Sequence, residues 1–184
     1  MNLPNAISSV RLVVAPPVLL YLAWNAEPEL FLMVLILALA SDVVDGYVAR
    51  KYQLQTELGA KLDSYSDFAM YLTMAIGAWW LWPETIREQA PFVIMVVLSL
   101  LLPALVGLIK FRGFTSYHTW GVKFSALLLS PAAILMFIGG PVWPFQLVAP
   151  LCALAALEEI IITLMLSERR SNVRSLWHAL KSER

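Results

Sequence analysis

A single cysteine, Cys152, stands in a chain of 184 residues, and it lies inside an apolar run. No disulfide framework and no cysteine-based metal cluster can be built from it. It reads as a small packed or lipid-facing residue. Histidine is almost as scarce, with two in the whole chain. Charged residues make up only 14%, and 13 Lys and Arg balance 13 Asp and Glu. A formal net charge of zero offers no bulk attraction to nucleic acid. Low-complexity segments, internal repeats and any stretch with the composition of a soluble domain are missing too. What remains is 60% hydrophobic, with a mean hydropathy of +0.72. That is the composition of a membrane protein, and the length suits one domain spanning 1–184.

Apolar runs fall at about 6–24, 29–49, 60–82, 91–111, 120–139 and 145–166. About 20 apolar residues cross a hydrocarbon core, so the pattern predicts an all-α, polytopic protein with six transmembrane helices. Turn chemistry separates them: Asn25 to Pro28, Pro83-Glu84, Gly113, and Gly139-Gly140-Pro141. The first run contains Pro16 and Pro17 and has no clear small-residue cleavage pattern before Asn25, so it reads as a retained helix and not a signal peptide.

The basic residues set the expected orientation. With both termini on one side, that side collects Arg11, Arg50, Lys51, Lys61, Lys110, Arg112, Lys123 and all the basic residues after Ser167, while the opposite loops receive only Arg87. Both termini are therefore expected in the cytoplasm. Trp79, Trp80, Trp82 and Trp143 fit an interfacial belt on the opposite face. The segment 167–184 alternates charge with Val173, Leu176, Trp177 and Leu180, as a short amphipathic helix on the cytoplasmic surface does.

Against this apolar background, four carboxylates stand between Asp42 and Asp67. Asp42 and Asp45 are three residues apart, and Asp63 and Asp67 are four apart, so each pair shares one face of a helix. A carboxylate at membrane depth costs about 2.5 kcal/mol or more, so four of them need a purpose. Paired carboxylates from two helices can close an oxygen-only site of the kind that hard cations such as Mg²⁺ or Mn²⁺ prefer. No histidine or cysteine lies in the stretch, which argues against zinc. Two such ions would roughly balance four acids. They could clamp a diphosphate, with Arg50 adding a bidentate phosphate contact. Gly46, Ala49 and Gly59 leave room for a flat ligand to approach the helix backbone. A plain ion network with Arg50, Lys51 and Lys61 is the structural alternative.

The stretch resembles the signature of the CDP-alcohol phosphotransferase family, D-x2-D-G-x2-A-R-x8-G-x3-D-x3-D. All eight specified residues and every gap across 26 positions are met, from Asp42 to Asp67. The resemblance implies a membrane enzyme of phospholipid synthesis, working at the cytoplasmic face of the bacterial inner membrane. Its reaction is attack of an alcohol on CDP-diacylglycerol, which releases CMP. Carried over, Asp42, Asp45 and Asp63 are metal ligands for two Mg²⁺ or Mn²⁺ ions, and Asp67 is both a ligand and the general base. Gly46, Ala49 and Gly59 frame the cytidine, and Arg50 touches the diphosphate. The family is typically homodimeric, which is the expectation here. A divalent-cation channel or transporter using the same acids is a competing reading, as is a lipid pyrophosphatase in which water replaces the alcohol. Arg50 gives a cation pathway no advantage.

Outside the signature, Asn5 opens the first helix as a nucleotide contact or an N-terminal cap, and Arg11 reads as a snorkelling anchor. Arg112, His118 and Lys123, with Lys110, flank the connection after the fourth run and suit an acceptor carrying a phosphate, such as glycerol 3-phosphate. Members of the family that use glycerol phosphate commonly read D-P-x-A-D-K around the last two acids. This chain reads Asp63-Ser64-Tyr65-Ser66-Asp67-Phe68, so serine, inositol-type acceptors and phosphatidylglycerol stay open. Glu158 and Glu159 lie about 15 Å into the last run by helix rise, and at least one is expected to face the interior or a cavity.

Overall fold

The computed structural model describes residues 3–53, 56–112 and 119–166. The proposed amphipathic tail at 167–184 lies outside them. Every element among the described residues is a helix: α1 (Leu3–Trp24), α2 (Pro28–Lys51), α3 (Glu57–Leu81), α4 (Pro83–Glu88), α5 (Ala90–Phe111), α6 (Trp120–Phe137) and α7 (Trp143–Met165). Six of the seven coincide with the six apolar runs to within a few residues. The addition is α4, where Pro83-Glu84 was expected to be a simple break. Pro83 occupies its first position, Glu84 lies in its first turn and Arg87 in its last, which is the charge order a helix dipole favours.

Among the described residues, five helices are long and apolar enough to cross a membrane: Ala6–Trp24, Pro28–Ala49, Ala90–Phe111, Trp120–Phe137 and Trp143–Met165. The sixth apolar run, in α3, falls outside that set. Its N-terminal half carries Glu57, Lys61, Asp63 and Asp67, and these lower its hydropathy.

The helices form two compact units, Met1–Glu84 and Thr85–Arg184. In the first, α1 packs against both α2 and α3. Leu19, Phe31, Leu35 and Met70 are buried at its centre. Two details fix the ends of this unit. Asn25 Nδ2 donates to Tyr21 O at 2.8 Å and Ala26 adopts φ 56°, which turns the chain from α1 into α2. Thr56 caps α3, its hydroxyl accepting from Gly59 N at 2.9 Å. Helix α3 therefore starts at Glu57, and Asp63 and Asp67 fall in its second and third turns. At the far end, Trp24 meets Trp80 edge-on and Phe31 meets Trp82, with centroids 5.7 Å and 6.0 Å apart.

In the second unit, α7 packs against both α5 and α6. The middle of its buried face carries small residues, Ala149, Cys152, Ala155 and Ala156, between the larger Phe145, Val148 and Ile162, and small residues let helices approach closely in a bilayer. Cys152 is a buried free thiol, in line with the packed role expected of it. Large apolar side chains such as Val13, Leu37, Ile109 and Leu127 point outward and are more than 60% exposed. Water would penalise such a surface, whereas lipid would not.

Candidate active site

Three helices of the first unit bring the carboxylates together. Asp42 and Asp45 lie in the last three turns of α2, Asp63 and Asp67 follow the Thr56 cap on α3, and α1 lies against both helices. Asp42, Asp63 and Asp67 each present a ligand oxygen, and the three atoms lie within 4.8 Å of one another. This grouping of three acids could hold a metal ion. Their side chains keep 36%, 40% and 40% of their surface exposed, so a small solute can reach them. Asp45 is not part of this trio. It is buried and its Oδ2 accepts from Ser8 Oγ at 3.2 Å.

Sequence reasoning missed the residue at the centre. Arg11 does not snorkel to the membrane surface; its side chain is only 3% exposed. Its Nη1 bonds Asp42 Oδ1 and lies 3.9 Å from Asp45 Oδ2. Its Nη2 donates to Asp63 Oδ1 at 3.2 Å and to Asp67 Oδ1 at 3.5 Å. Its Nε donates to Ser66 Oγ at 2.7 Å, and Ser66 is fully buried. One guanidinium thus faces four carboxyl groups, a formal excess of three negative charges among these five groups. An excess of that sign on hard oxygen donors suits divalent cations with oxygen-seeking chemistry. Among the described side chains, the cation at the heart of the acids is therefore Arg11; those of Arg50 and Lys61, named with Lys51 in the alternative ion network, lie outside the described set. Lys51 Nζ instead lies over the rings of Tyr47 and Tyr52, at 5.6 Å and 5.8 Å.

Gly46, Ala49 and Gly59 are all half-buried, the first two on the acid-bearing half of α2 and the third in the first turn of α3. The side chains of Asn5 and Arg50 lie outside the described set, although their backbones belong to α1 and α2. An apolar groove of about 460 Å³ runs along α1 and α2. Val10, Val14 and Val18 of α1 line it with Val34 and Leu37 of α2, and Arg11 and Ser41 contribute to the same wall.

In the second unit, Arg112 is exposed and ends α5 in a left-handed conformation, φ 50°. Lys123 is exposed in the first turn of α6, with Nζ 5.8 Å from the Trp120 ring. His118 lies outside the described residues. Lys110, grouped with these for an acceptor phosphate, donates from its exposed Nζ to Leu164 O at 2.7 Å near the end of α7. Glu158 and Glu159 are half-buried. Glu158 faces α6, its Oε2 standing 3.2 Å from where a Cβ on Gly121 would be.

The profile of the CDP-alcohol phosphatidyltransferase family matches residues 1–170. Curated relatives include proteins named CDP-diacylglycerol--glycerol-3-phosphate 3-phosphatidyltransferase from Rickettsia bellii, Pseudomonas fluorescens and Aquifex aeolicus. They are 40%, 38% and 37% identical over 68, 72 and 67 residues. Those stretches cover 36–38% of this chain and 37–38% of the relatives, so the match spans little more than a third of their length. No solved structure matches the chain.

Proposed function

The chain belongs to the CDP-alcohol phosphatidyltransferase family, and from that premise we propose that it transfers the phosphatidyl group of CDP-diacylglycerol to glycerol 3-phosphate, releasing CMP. The observation that carries the proposal is the convergence of Asp42, Asp63 and Asp67 within 4.8 Å, from two helices, beside one buried arginine. The names of the partial relatives support glycerol 3-phosphate as the acceptor, although the chain has serine where proline and alanine are common between the last two acids.

In this proposal Asp42, Asp63 and Asp67, with Asp45 behind them, hold two Mg²⁺ or Mn²⁺ ions. When bound, such ions neutralise the diphosphate and the oxygen that leaves with CMP. The chain's own groups do the rest. Gly46, Ala49 and Gly59 admit the cytidine, and Asn5 and Arg50 reach the nucleotide and its diphosphate. The groove along α1 and α2 takes an acyl chain, which sets the phosphatidyl phosphorus beside the acids. Asp67 removes the proton from the acceptor hydroxyl. The freed oxygen bonds to the phosphatidyl phosphorus as its bond to the CMP oxygen breaks, so CMP leaves with the electron pair. Arg112, Lys123 and His118 attract the acceptor's phosphate. Cation conduction is disfavoured by Arg11, whose guanidinium occupies the middle of the acids.

The wider proposal is an integral membrane homodimer of single-domain protomers in the bacterial inner membrane. Six helices cross, α3 included, with both termini in the cytoplasm and the acids just inside that face. The charged half of α3 is tolerable there because α1 supplies Arg11 to it. The test is incubation of purified protein with Mn²⁺, labelled CDP-diacylglycerol and a panel of acceptors. Phosphatidylglycerol phosphate is expected from glycerol 3-phosphate. A different lipid product would replace the acceptor, and no product with any alcohol would refute the transfer.

A further inference from the structure

We propose that Arg11 is a resident counter-cation of the acid cluster that must be displaced before divalent ions enter, so that ions and the diphosphate donor bind cooperatively. The inference rests on the cation-assisted transfer proposed above. It adds a residue outside the Asp42-to-Asp67 stretch and a required order to the loading of the site.

The geometry leads there in three steps. The guanidinium contacts the same oxygens that a cation would use: Asp42 Oδ1 bonds Nη1, while Asp63 Oδ1 and Asp67 Oδ1 take Nη2 at 3.2 Å and 3.5 Å. A divalent ion on those oxygens would stand within a few ångströms of a positive guanidinium, and the two repel strongly in a poorly solvated site. One of them must move. Arg11, moreover, is only 3% exposed where it stands in a membrane-length helix, so its charge is met there by the carboxylates and not by water. A buried arginine that loses its carboxylates needs another anion. Arg11 also lines the α1–α2 groove, so the diphosphate of a lipid whose chain occupies that groove is the anion within reach. Bidentate phosphate contact is what a guanidinium provides best. Finally, Ser66 holds the arginine in its present pose. Its buried hydroxyl accepts from Nε at 2.7 Å, which aims both Nη groups at the acids. Ser66 is a positioning residue acting through Arg11.

The consequence is a coupling between ligands. Without the donor, Arg11 competes with the ions and weakens them. With the donor, the diphosphate takes over Arg11 and the ions bind tightly. Reciprocity then requires that the ions tighten the donor by the same factor.

The experiment measures Mn²⁺ binding to the full-length, detergent-solubilised protein, with and without CDP as a soluble diphosphate. The readouts are free Mn²⁺ by electron paramagnetic resonance and the thermal unfolding midpoint. For the wild type, CDP should tighten Mn²⁺ by about tenfold or more, within the range usual for linked sites. Arg11→Gln should bind Mn²⁺ about tenfold tighter than the wild type without CDP, and CDP should add little. Its metal-free form should melt lower, because four acids then lack their cation, and Mn²⁺ should restore it. Arg11→Lys, which keeps the charge, should stay near the wild type. Ser66→Ala should shift Mn²⁺ affinity in the direction of Arg11→Gln by a smaller factor, which keeps the test open if Arg11→Gln does not fold without metal. A merely structural Arg11 would make Mn²⁺ binding weaker in these variants. Unchanged or weaker Mn²⁺ affinity in both Arg11→Gln and Ser66→Ala overturns the inference, while wild-type Mn²⁺ binding still supports the cation site. No Mn²⁺ binding by any form, with CDP present, overturns the cation site itself.

Discussion

Replacing Asp67 by asparagine separates the two jobs proposed for it. Asparagine has the same shape, so α3 and its packing should survive, but the side chain can no longer accept a proton from the acceptor hydroxyl. A positioned general base contributes about 10²–10⁴-fold to rate, or about 2.7–5.4 kcal/mol at about 1.36 kcal/mol per decade. Binding should suffer less. Ligand oxygens of Asp42 from α2 and Asp63 from α3 remain within 4.8 Å of each other, so a cation would still bridge two helices. Asp42→Asn is the contrasting variant. It leaves Asp63 and Asp67 on one face of α3 with no carboxylate from α2 in the trio, so only Asp45, set behind it, is left to tie a cation to α2. Single-turnover release of CMP gives the rate, and titration calorimetry with CDP in Mn²⁺ gives the binding. Asp67→Asn should be slower by at least about a hundredfold while losing less CDP affinity than Asp42→Asn. Equal losses of affinity in the two variants, or a rate within tenfold of the wild type, would refute a separate role for Asp67.

Other perturbations have equally definite outcomes. Gly46→Leu should abolish CDP binding, because its side chain fills the space beside Asp45, while circular dichroism and chromatography stay normal; near-normal CDP affinity would place the nucleotide elsewhere. Gly77→Ala should lower the thermal midpoint. The buried Phe31 ring stands where the new Cβ must go, and overpacking costs about 1–3 kcal/mol against about 1 kcal/mol gained in helix propensity; an unchanged or higher midpoint counts against this packing. Arg112→Ala and Lys123→Ala should each raise the KM for glycerol 3-phosphate several-fold and leave donor affinity unchanged, and an unaltered KM would reduce both residues to topology signals.

The acids and the helices were legible because both are local patterns. The run of apolar residues gives each helix its length, and the spacing from Asp42 to Asp67 is short enough to read on two adjoining helices. Arg11 was not legible. A lone arginine at the ninth position of an apolar helix has the look of a snorkelling anchor, and its partners Asp42, Asp63 and Asp67 are 31, 52 and 56 residues away. Only the packing of α1 against both α2 and α3 brings them together. Ser66 was hidden for the same reason, since its meaning comes from Arg11. The bond from Lys110 to Leu164 O, 54 residues on, was hidden as well, because a carbonyl leaves no mark in sequence. The short helix α4 could have been found. Pro83, Glu84 and Arg87 are in the order that a helix start and end favour, but Pro-Glu after three tryptophans reads first as a turn.

The most direct measurement follows CMP and labelled lipid together. Metal-stripped protein receives CDP-diacylglycerol and labelled glycerol 3-phosphate, and Mn²⁺ is then titrated in. Transfer at the acid cluster requires that CMP and the labelled lipid appear in equal amounts, only when Mn²⁺ or Mg²⁺ is present, and that excess EDTA stops both. Full turnover in EDTA would contradict a cation site at Asp42, Asp63 and Asp67. Release of CMP without labelled lipid would make water the acceptor and the protein a hydrolase.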